Sequence, residues 1–286
     1  FWHNTATCGP FGAAAAACHL IPGSDLVSAL GLAGTQAAGL WQTRHEADSM
    51  AKQLHAGHAA HAGVLAAILS VQGFQGPRTI LEGEQGFFAA MCPGADPEDI
   101  LGDADAGWRL HETSLKPYAA CRHAHPAIDA ALGLRGKLDL SGDTPIIIHT
   151  YNDALKFCDR REPKTKIEAK FSIQHSVAVT LLKGVPSLDD FEVSALDEAN
   201  VAALRRRILT VPSDEFNRGY PAHYGARITA GGETFAAPNA YGDPEYPMPQ
   251  DAVVGKAKLL MAYGGMSADA ADVTCRAALA LKDDAP

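Results

Sequence analysis

The chain has 286 residues, 47% of them apolar and 20% charged, an ordinary globular composition that excludes a disordered, collagenous or coiled-coil chain. Its 24 basic and 33 acidic residues give a net charge of −9 with histidine neutral. That excludes the broadly basic surface of a nucleic-acid binder, so a small anionic ligand would need a local cluster of cations.

Aromatics are only 7% while alanine and glycine are abundant, which predicts closely packed helices at the start of the chain. Residues 8–72 read as helices joined by short turns. The first follows Cys8-Gly9-Pro10 and runs through the alanines to Cys18, a sequence that lets helix backbones approach closely. Ser24 or Asp25 caps a second, with Leu26, Leu30, Ala33, Ala37 and Leu40 on one stripe. A third covers Ala56 to Val71, with Ala60, Val64, Ala67 and Val71 at helical spacing, and Gly73 to Pro77 ends it. Short helices are expected at Glu84–Met91 and Pro97–Leu101.

The texture changes near Trp108, where Trp108 to Thr113 reads as a strand. Pro145 to Tyr151 is a clear β-run, and Ile208 to Val211 a weaker one. Tyr224–Thr229 and Glu233–Ala236 flank Gly231-Gly232 as a hairpin. Helices intervene at Ala124–Leu134, Lys164–Lys183 and Leu196–Arg207, and two more close the chain at Pro249–Ala262 and Ser267–Leu281. The fold class expected is mainly α with an α+β second domain. The divisions are an all-helical part at 1–115, an α+β part at 116–243 and a helical return at 244–286.

Six cysteines with no C-x-x-C pair are too sparse for a disulfide scaffold and read as reduced thiols of a cytoplasmic protein. No run of about 18 uncharged apolar residues suggests a membrane span, and no secretory signal opens the chain. The chain starts at Phe1 without an initiator methionine, and the reading is a piece of a longer protein. Such a piece is expected to expose apolar surface and to be inactive alone.

Four segments could carry chemistry. Lys116-Pro117-Tyr118-Ala119-Ala120-Cys121-Arg122-His123-Ala124-His125-Pro126 packs two cations, two imidazoles, a phenol and a thiol ahead of a helix, which suits a carboxylate or phosphate. The bland alternative is a solvated loop. In Lys52 to His61, His55, His58 and His61 step three residues at a time. Structural zinc sites draw paired ligands from separate elements, so partly buried histidines are the stronger reading and no metal is expected. Lys52 is either a second anion-binding cation or a surface lysine. His3, with Thr5 and Thr7, places an imidazole and two hydroxyls at the head of a helix. Glu168 to His175 is expected on a helix, with Phe171 and His175 on one face and an ordinary amphipathic helix as the alternative. No dinucleotide fingerprint, P-loop or nucleophile elbow is present.

These clusters, in this order, resemble the MmgE/PrpD family. The matching pieces are Phe1-Trp-His-Asn-Thr-Ala-Thr7, Leu32-Ala-Gly-Thr-Gln-Ala-Ala-Gly39, Lys52-Gln-Leu-His-Ala-Gly57, Gly73-Phe-Gln-Gly-Pro77 and Leu81-Glu-Gly83. They continue with Lys116-Pro-Tyr-Ala-Ala-Cys-Arg122, Glu168-Ala-Lys-Phe-Ser172 and Gly242-Asp-Pro244. The resemblance implies a discontinuous all-helical domain plus a smaller α+β lid, a homodimer, and lyase chemistry on a small di- or tricarboxylate without metal or other cofactor. It makes His3, Lys52 and Lys116 catalytic, and Thr7, Cys121, Arg122 and His175 substrate contacts. At position 175 many relatives have tyrosine. Cys121 sides with dehydratase-like members, because the animal decarboxylase has histidine there. Dehydration of a 2-methylcitrate-type substrate is therefore expected, with epimerisation or cis-aconitate-type decarboxylation as alternatives. An inactive truncated paralogue or carboxylate-binding protein is the alternative of another class.

Overall fold

The structure, a computed structural model, describes residues 1–46, 49–94, 96 and 109–281. The chain divides into two compact units, Phe1–Trp108 and Arg109–Pro286.

The first unit is built on three helices, α1 (Asn4–Leu20), α2 (Leu26–Gly34) and α3 (Ala51–Val71), followed by a short α4 (Phe87–Met91). Helix α1 starts earlier than expected and carries Pro10 within it. The cause lies outside the helix. Trp2 bridges Leu40, His3 N–H donates to the Gly39 carbonyl at 3.1 Å, and Trp41 N–H donates to the Phe1 carbonyl at 2.9 Å. The extended segment ends at His3, and the helix begins at once. Asp25 caps α2 by accepting from Val27 N–H. That helix stops at Gly34, so Ala37 and Leu40 fall beyond it instead of extending its stripe.

Helix α3 starts at Ala51, and of the stripe Ala60, Val64, Ala67 and Val71 it buries Ala67 alone. Ala59, Ala62, Gly63, Ala66, Ala67 and Ser70 are buried, while Val64, Ile68 and Val71 are exposed. Small residues win the inward face because α1 and α3 approach so closely. A Cβ on Gly63 would lie 2.4 Å from the Ala13 Cβ and 2.5 Å from the Ala14 nitrogen. Contrary to the expectation that no run suggests a membrane span, helix α3 is long and apolar enough to cross a membrane by length and composition, with a mean hydropathy of 1.3 over its 18-residue window, because alanine and three histidines replace charged residues along it. It packs against α1 and α2. The helix expected at Pro97–Leu101 lies outside the described residues, as does the start of the strand expected from Trp108. Its remainder is a single 3₁₀ turn, Arg109–Glu112.

The second unit has a four-stranded mixed sheet in the order β2-β1-β3-β4. Its strands are β1 (Ile146–Thr150), β2 (Ile208–Pro212), β3 (Ala226–Ala230) and β4 (Glu233–Ala237). Strand β1 pairs parallel with β2, Ile146 opposite Ile208, and antiparallel with β3. Gly231 and Gly232, at φ of 57° and 88°, make the tight turn joining β3 to β4. Alternation turns Ile146, Ile148 and Thr150 inward. Helices α5 (His125–Leu134) and α8 (Ile173–Lys183) pack against each other, and α5 also packs on β3 and β4. Ile128, Leu134, Ile173, Val177, Phe191 and Ile208 complete the core.

Two expected helices are broken. Lys164–Lys183 becomes α7 (Lys166–Lys170) and α8, because Ser172 caps the second by accepting from His175 N–H. Leu196–Arg207 becomes α9 (Val193–Leu196) and α10 (Ala199–Arg207). Two short helices were not expected, α6 (Asn152–Cys158) and α11 (Asp214–Gly219). The chain closes with α12 (Gln250–Tyr263) and α13 (Ala268–Ala280), which pack as a pair.

Candidate active site

In the first unit, His3 is 7% exposed. Its Nδ1 lies 3.0 Å from Nδ1 of His55, and its ring centroid is 4.3 Å from that of Trp41. The Lys52 ammonium stands 5.9 Å over the Trp41 ring, within cation–π reach. Burial chiefly, then the neighbouring His55 and Lys52, holds the His3 pKa below its ordinary value. A neutral imidazole at physiological pH follows, and that is the form a general base needs. Thr7 is buried in α1, and its hydroxyl donates back to the Asn4 carbonyl at 3.4 Å. His58 and His61 are exposed. Among the described residues no group of three or more His, Cys, Asp or Glu is placed to hold a metal.

In the second unit, the segment 116–125 folds into one polar–aromatic cluster. Gly242 makes this possible. Leu115 N–H donates to the Gly242 carbonyl at 2.8 Å, and Gly242 sits at φ 95°, where a Cβ would lie 1.9 Å from the Leu115 oxygen. The neighbours Lys116 and Asp243 are thereby drawn to one place. The Arg122 guanidinium pairs with the buried Asp243 carboxylate and lies 3.8 Å over the Tyr224 ring. Its orientation is fixed twice over, by charge and by stacking. The Lys116 carbonyl accepts from the Lys256 ammonium. Cys121 N–H donates to the Lys170 carbonyl at 2.7 Å and leads into the turn Arg122–Ala124. Its thiol sits beside that of buried Cys158, whose pKa is pushed far up, first by burial and then by Cys121.

His123 stacks on Phe157 at 4.7 Å and shares a 2.7 Å hydrogen bond with the Tyr151 hydroxyl. Burial lowers its pKa to about 4, with Arg122 and Lys116 assisting against Asp153. His125, buried against Tyr118, is lowered by burial and by Lys116 to about 3. Both start from 6.5 in the unfolded chain, so between pH 6.5 and about 4 the unfolded state binds more protons and acid destabilises the fold. The His123 share is on the order of 3 kcal/mol. Urea midpoints should fall steadily from pH 7 to 4.5, with a shallower fall in His125→Asn. A midpoint constant over that range would show that the rings are protonated inside the fold.

His175 is placed differently from the expected substrate contact. It is fully buried in α8, with Nε2 2.7 Å from the Asp190 carbonyl oxygen, Nδ1 3.4 Å from the Arg205 guanidinium, and its ring edge-on to Phe191. Both ring nitrogens face core groups. The helix face it was expected to share with Phe171 does not exist, because Ser172 starts a new helix between them. In the second unit the structure does bring together Lys116, Cys121 and Arg122. In the first it brings together His3 and Lys52. His55, Trp41, Asp243, Tyr151 and Tyr224 had not been singled out as site residues. The signals for two of them were in the motifs, since His55 lies one turn after Lys52 and Asp243 follows Gly242.

A helical unit with a histidine pair, one ring buried and the other half-buried, and a mixed α/β unit with a clamped arginine, define a two-part protein with a polar cluster on each part. The sequence matches the MmgE/PrpD N-terminal domain over residues 1–100 and the MmgE/PrpD C-terminal domain over residues 118–281. The chain belongs to the MmgE/PrpD family. It is 27% identical, over 79% of its length and 50% of the relative's, to a cis-aconitate decarboxylase-like protein, oryM, of Aspergillus oryzae. It is 26% identical to the cis-aconitate decarboxylase of Aspergillus terreus, over 76% of the chain and 48% of the relative. It is 27% identical to the 2-methylcitrate dehydratase of Cupriavidus necator, over 68% of the chain and 42% of the relative. The chain thus spans about half the length of the curated relatives it matches.

Proposed function

We propose that the protein is a lyase of small di- or tricarboxylates, removing water from a 2-methylcitrate-type substrate. The observation that carries this reading is the clamped Arg122 beside Lys116 on one segment, in a family whose relatives act on such acids by name. Arg122 and Lys116 would neutralise substrate carboxylates and stabilise the charge that builds beside them as a proton leaves carbon. His3, kept neutral by burial, is the proton acceptor. Lys52 adds a positive charge near it, and Cys121 and Thr7 contribute substrate contacts. His175 carries no role in this reading, since its nitrogens are engaged in the core.

The same reading makes the protein a cytoplasmic homodimer that needs no metal or other cofactor. All six cysteines are thiols, which suits a reducing compartment.

Decarboxylation is the second reading. It is favoured by the longer matches to decarboxylases, 79% and 76% of the chain against 68% for the dehydratase. A panel of carboxylates followed by NMR separates the two, because one product has lost water and the other carbon dioxide. Binding without turnover of any acid by the full-length product would make it a carboxylate-binding protein instead. Lys116→Ala should remove a charge-assisted contact worth about 1.5–3 kcal/mol, a tenfold to hundredfold loss in kcat/KM measured by steady-state kinetics. Unchanged kinetics would take Lys116 out of the site.

A further inference from the structure

The two imidazoles of the first unit meet in an unusual way, Nδ1 against Nδ1 at 3.0 Å. Two such nitrogens can share this distance only if one carries a hydrogen and the other a lone pair. The contact is built rather than incidental. Gly39 accepts from the His3 N–H and so fixes the residue's backbone. A Cβ at Gly39 would lie 2.3 Å from the Ala6 Cβ and 3.5 Å from His55 Nδ1, so the bare glycine lets the segment close over the pair. Trp41 lies against the His3 ring, which is nearly fully buried.

We propose that His55 is a positioning residue, accepting the Nδ1 hydrogen of His3 and so leaving Nε2 of His3 as the nitrogen that takes and returns a proton. This deepens, and rests on, the reading of His3 as the proton-transfer group. The opposite sharing does not serve that chemistry. If His55 donated, the lone pair on His3 Nδ1 would be occupied and Nε2 would already hold the hydrogen, so neutral His3 would have no nitrogen able to accept a proton. With His3 as donor the bond survives in both protonation states, because the imidazolium still presents Nδ1–H to the same acceptor. His55 thus does for His3 what a carboxylate or carbonyl does for a catalytic or metal-bound histidine, selecting the tautomer through the ring's other nitrogen.

The test is the ring nitrogen spectrum of the ¹⁵N-labelled 286-residue chain at pH 8.5, with His3 and His55 assigned by His3→Gln and His55→Asn. The expected result is a protonated Nδ1 and a bare Nε2 on His3, with the reverse on His55. In His55→Asn the amide oxygen takes the place of the acceptor and His3 keeps its tautomer. In His55→Ala the hydrogen of His3 moves to Nε2, with loss of the Nδ1–H signal. A wild-type His3 already protonated on Nε2, or a His3 tautomer unmoved by His55→Ala, overturns the proposal. No turnover is needed, so the outcome stands apart from the functional reading, which falls instead if His3→Gln leaves kcat/KM unchanged.

Discussion

Replacing His3 by glutamine is expected to lower kcat/KM by about 10²–10⁴-fold, with a much smaller loss of folding stability, on the order of the 0.5–1.5 kcal/mol of its one hydrogen bond to His55. The large kinetic effect follows from the environment of the ring. Burial and two neighbours hold its pKa down, so the neutral base persists to lower pH than an exposed histidine would allow. The small structural effect follows from the backbone. His3 precedes α1, yet its side chain makes no capping bond, and its main-chain bond to Gly39 survives the substitution. In the active protein the acidic limb of the kcat/KM profile should lie below pH 6.5 and vanish in the variant. A variant with a normal rate, or one whose melting temperature collapses, would show a ring that packs rather than reacts.

Gly242→Ala is expected to damage fold and site together. Its left-handed conformation costs a side chain about 1–3 kcal/mol, and the added methyl would run into the Leu115 oxygen. A drop in melting temperature of roughly 2–12 °C follows for a chain of this size. The displaced backbone carries Lys116 on one side and Asp243, the partner of Arg122, on the other. Activity should therefore fall at least as far as in Lys116→Ala. Gly255→Ala is the control. It lies inside α12 with nothing within 4 Å of the new methyl, and should be stabilising by about 0.5–1 kcal/mol. Equal effects of the two substitutions would remove Gly242 from its role as a hinge point of the site.

The strands and most helices were legible because their signals are local. The isoleucine run of β1, the Gly-Gly turn and the proline-terminated segments each dictate their own conformation. Helix starts fixed by distant partners were not. Nothing in Asn4–Pro10 announces that residues 39–41 will pair with residues 1–3 and start α1 early. The buried face of α3 was not legible, because hydrophobicity points to Val64 and Val71, whereas the spacing of two backbones selects glycine and alanine. At the candidate site, the clustering of polar groups along one segment was enough to anticipate that Lys116, Cys121 and Arg122 lie together. It could not supply Asp243 or Tyr224, which reach Arg122 from far along the sequence. It also put His175 on one long helix with Phe171, because the apolar pattern runs on through Ser172 and outweighed that residue's preference for a helix cap.

The parallel pairing of β1 with β2 sets a schedule for synthesis. Ile146, Ile147 and Ile148 leave the ribosome well before their partners Ile208, Leu209 and Thr210 exist. At roughly 5–20 residues per second that interval is about 3–12 s. The antiparallel neighbour comes later still, at Ala226–Ala230. Through that time a strand of high β-propensity has both edges open, the condition under which nascent chains seek one another. Yield from expression should thus depend on temperature and translation speed more steeply than the stability of the finished fold would suggest. A polar residue at the half-exposed Ile147 should improve recovery without touching the core beneath.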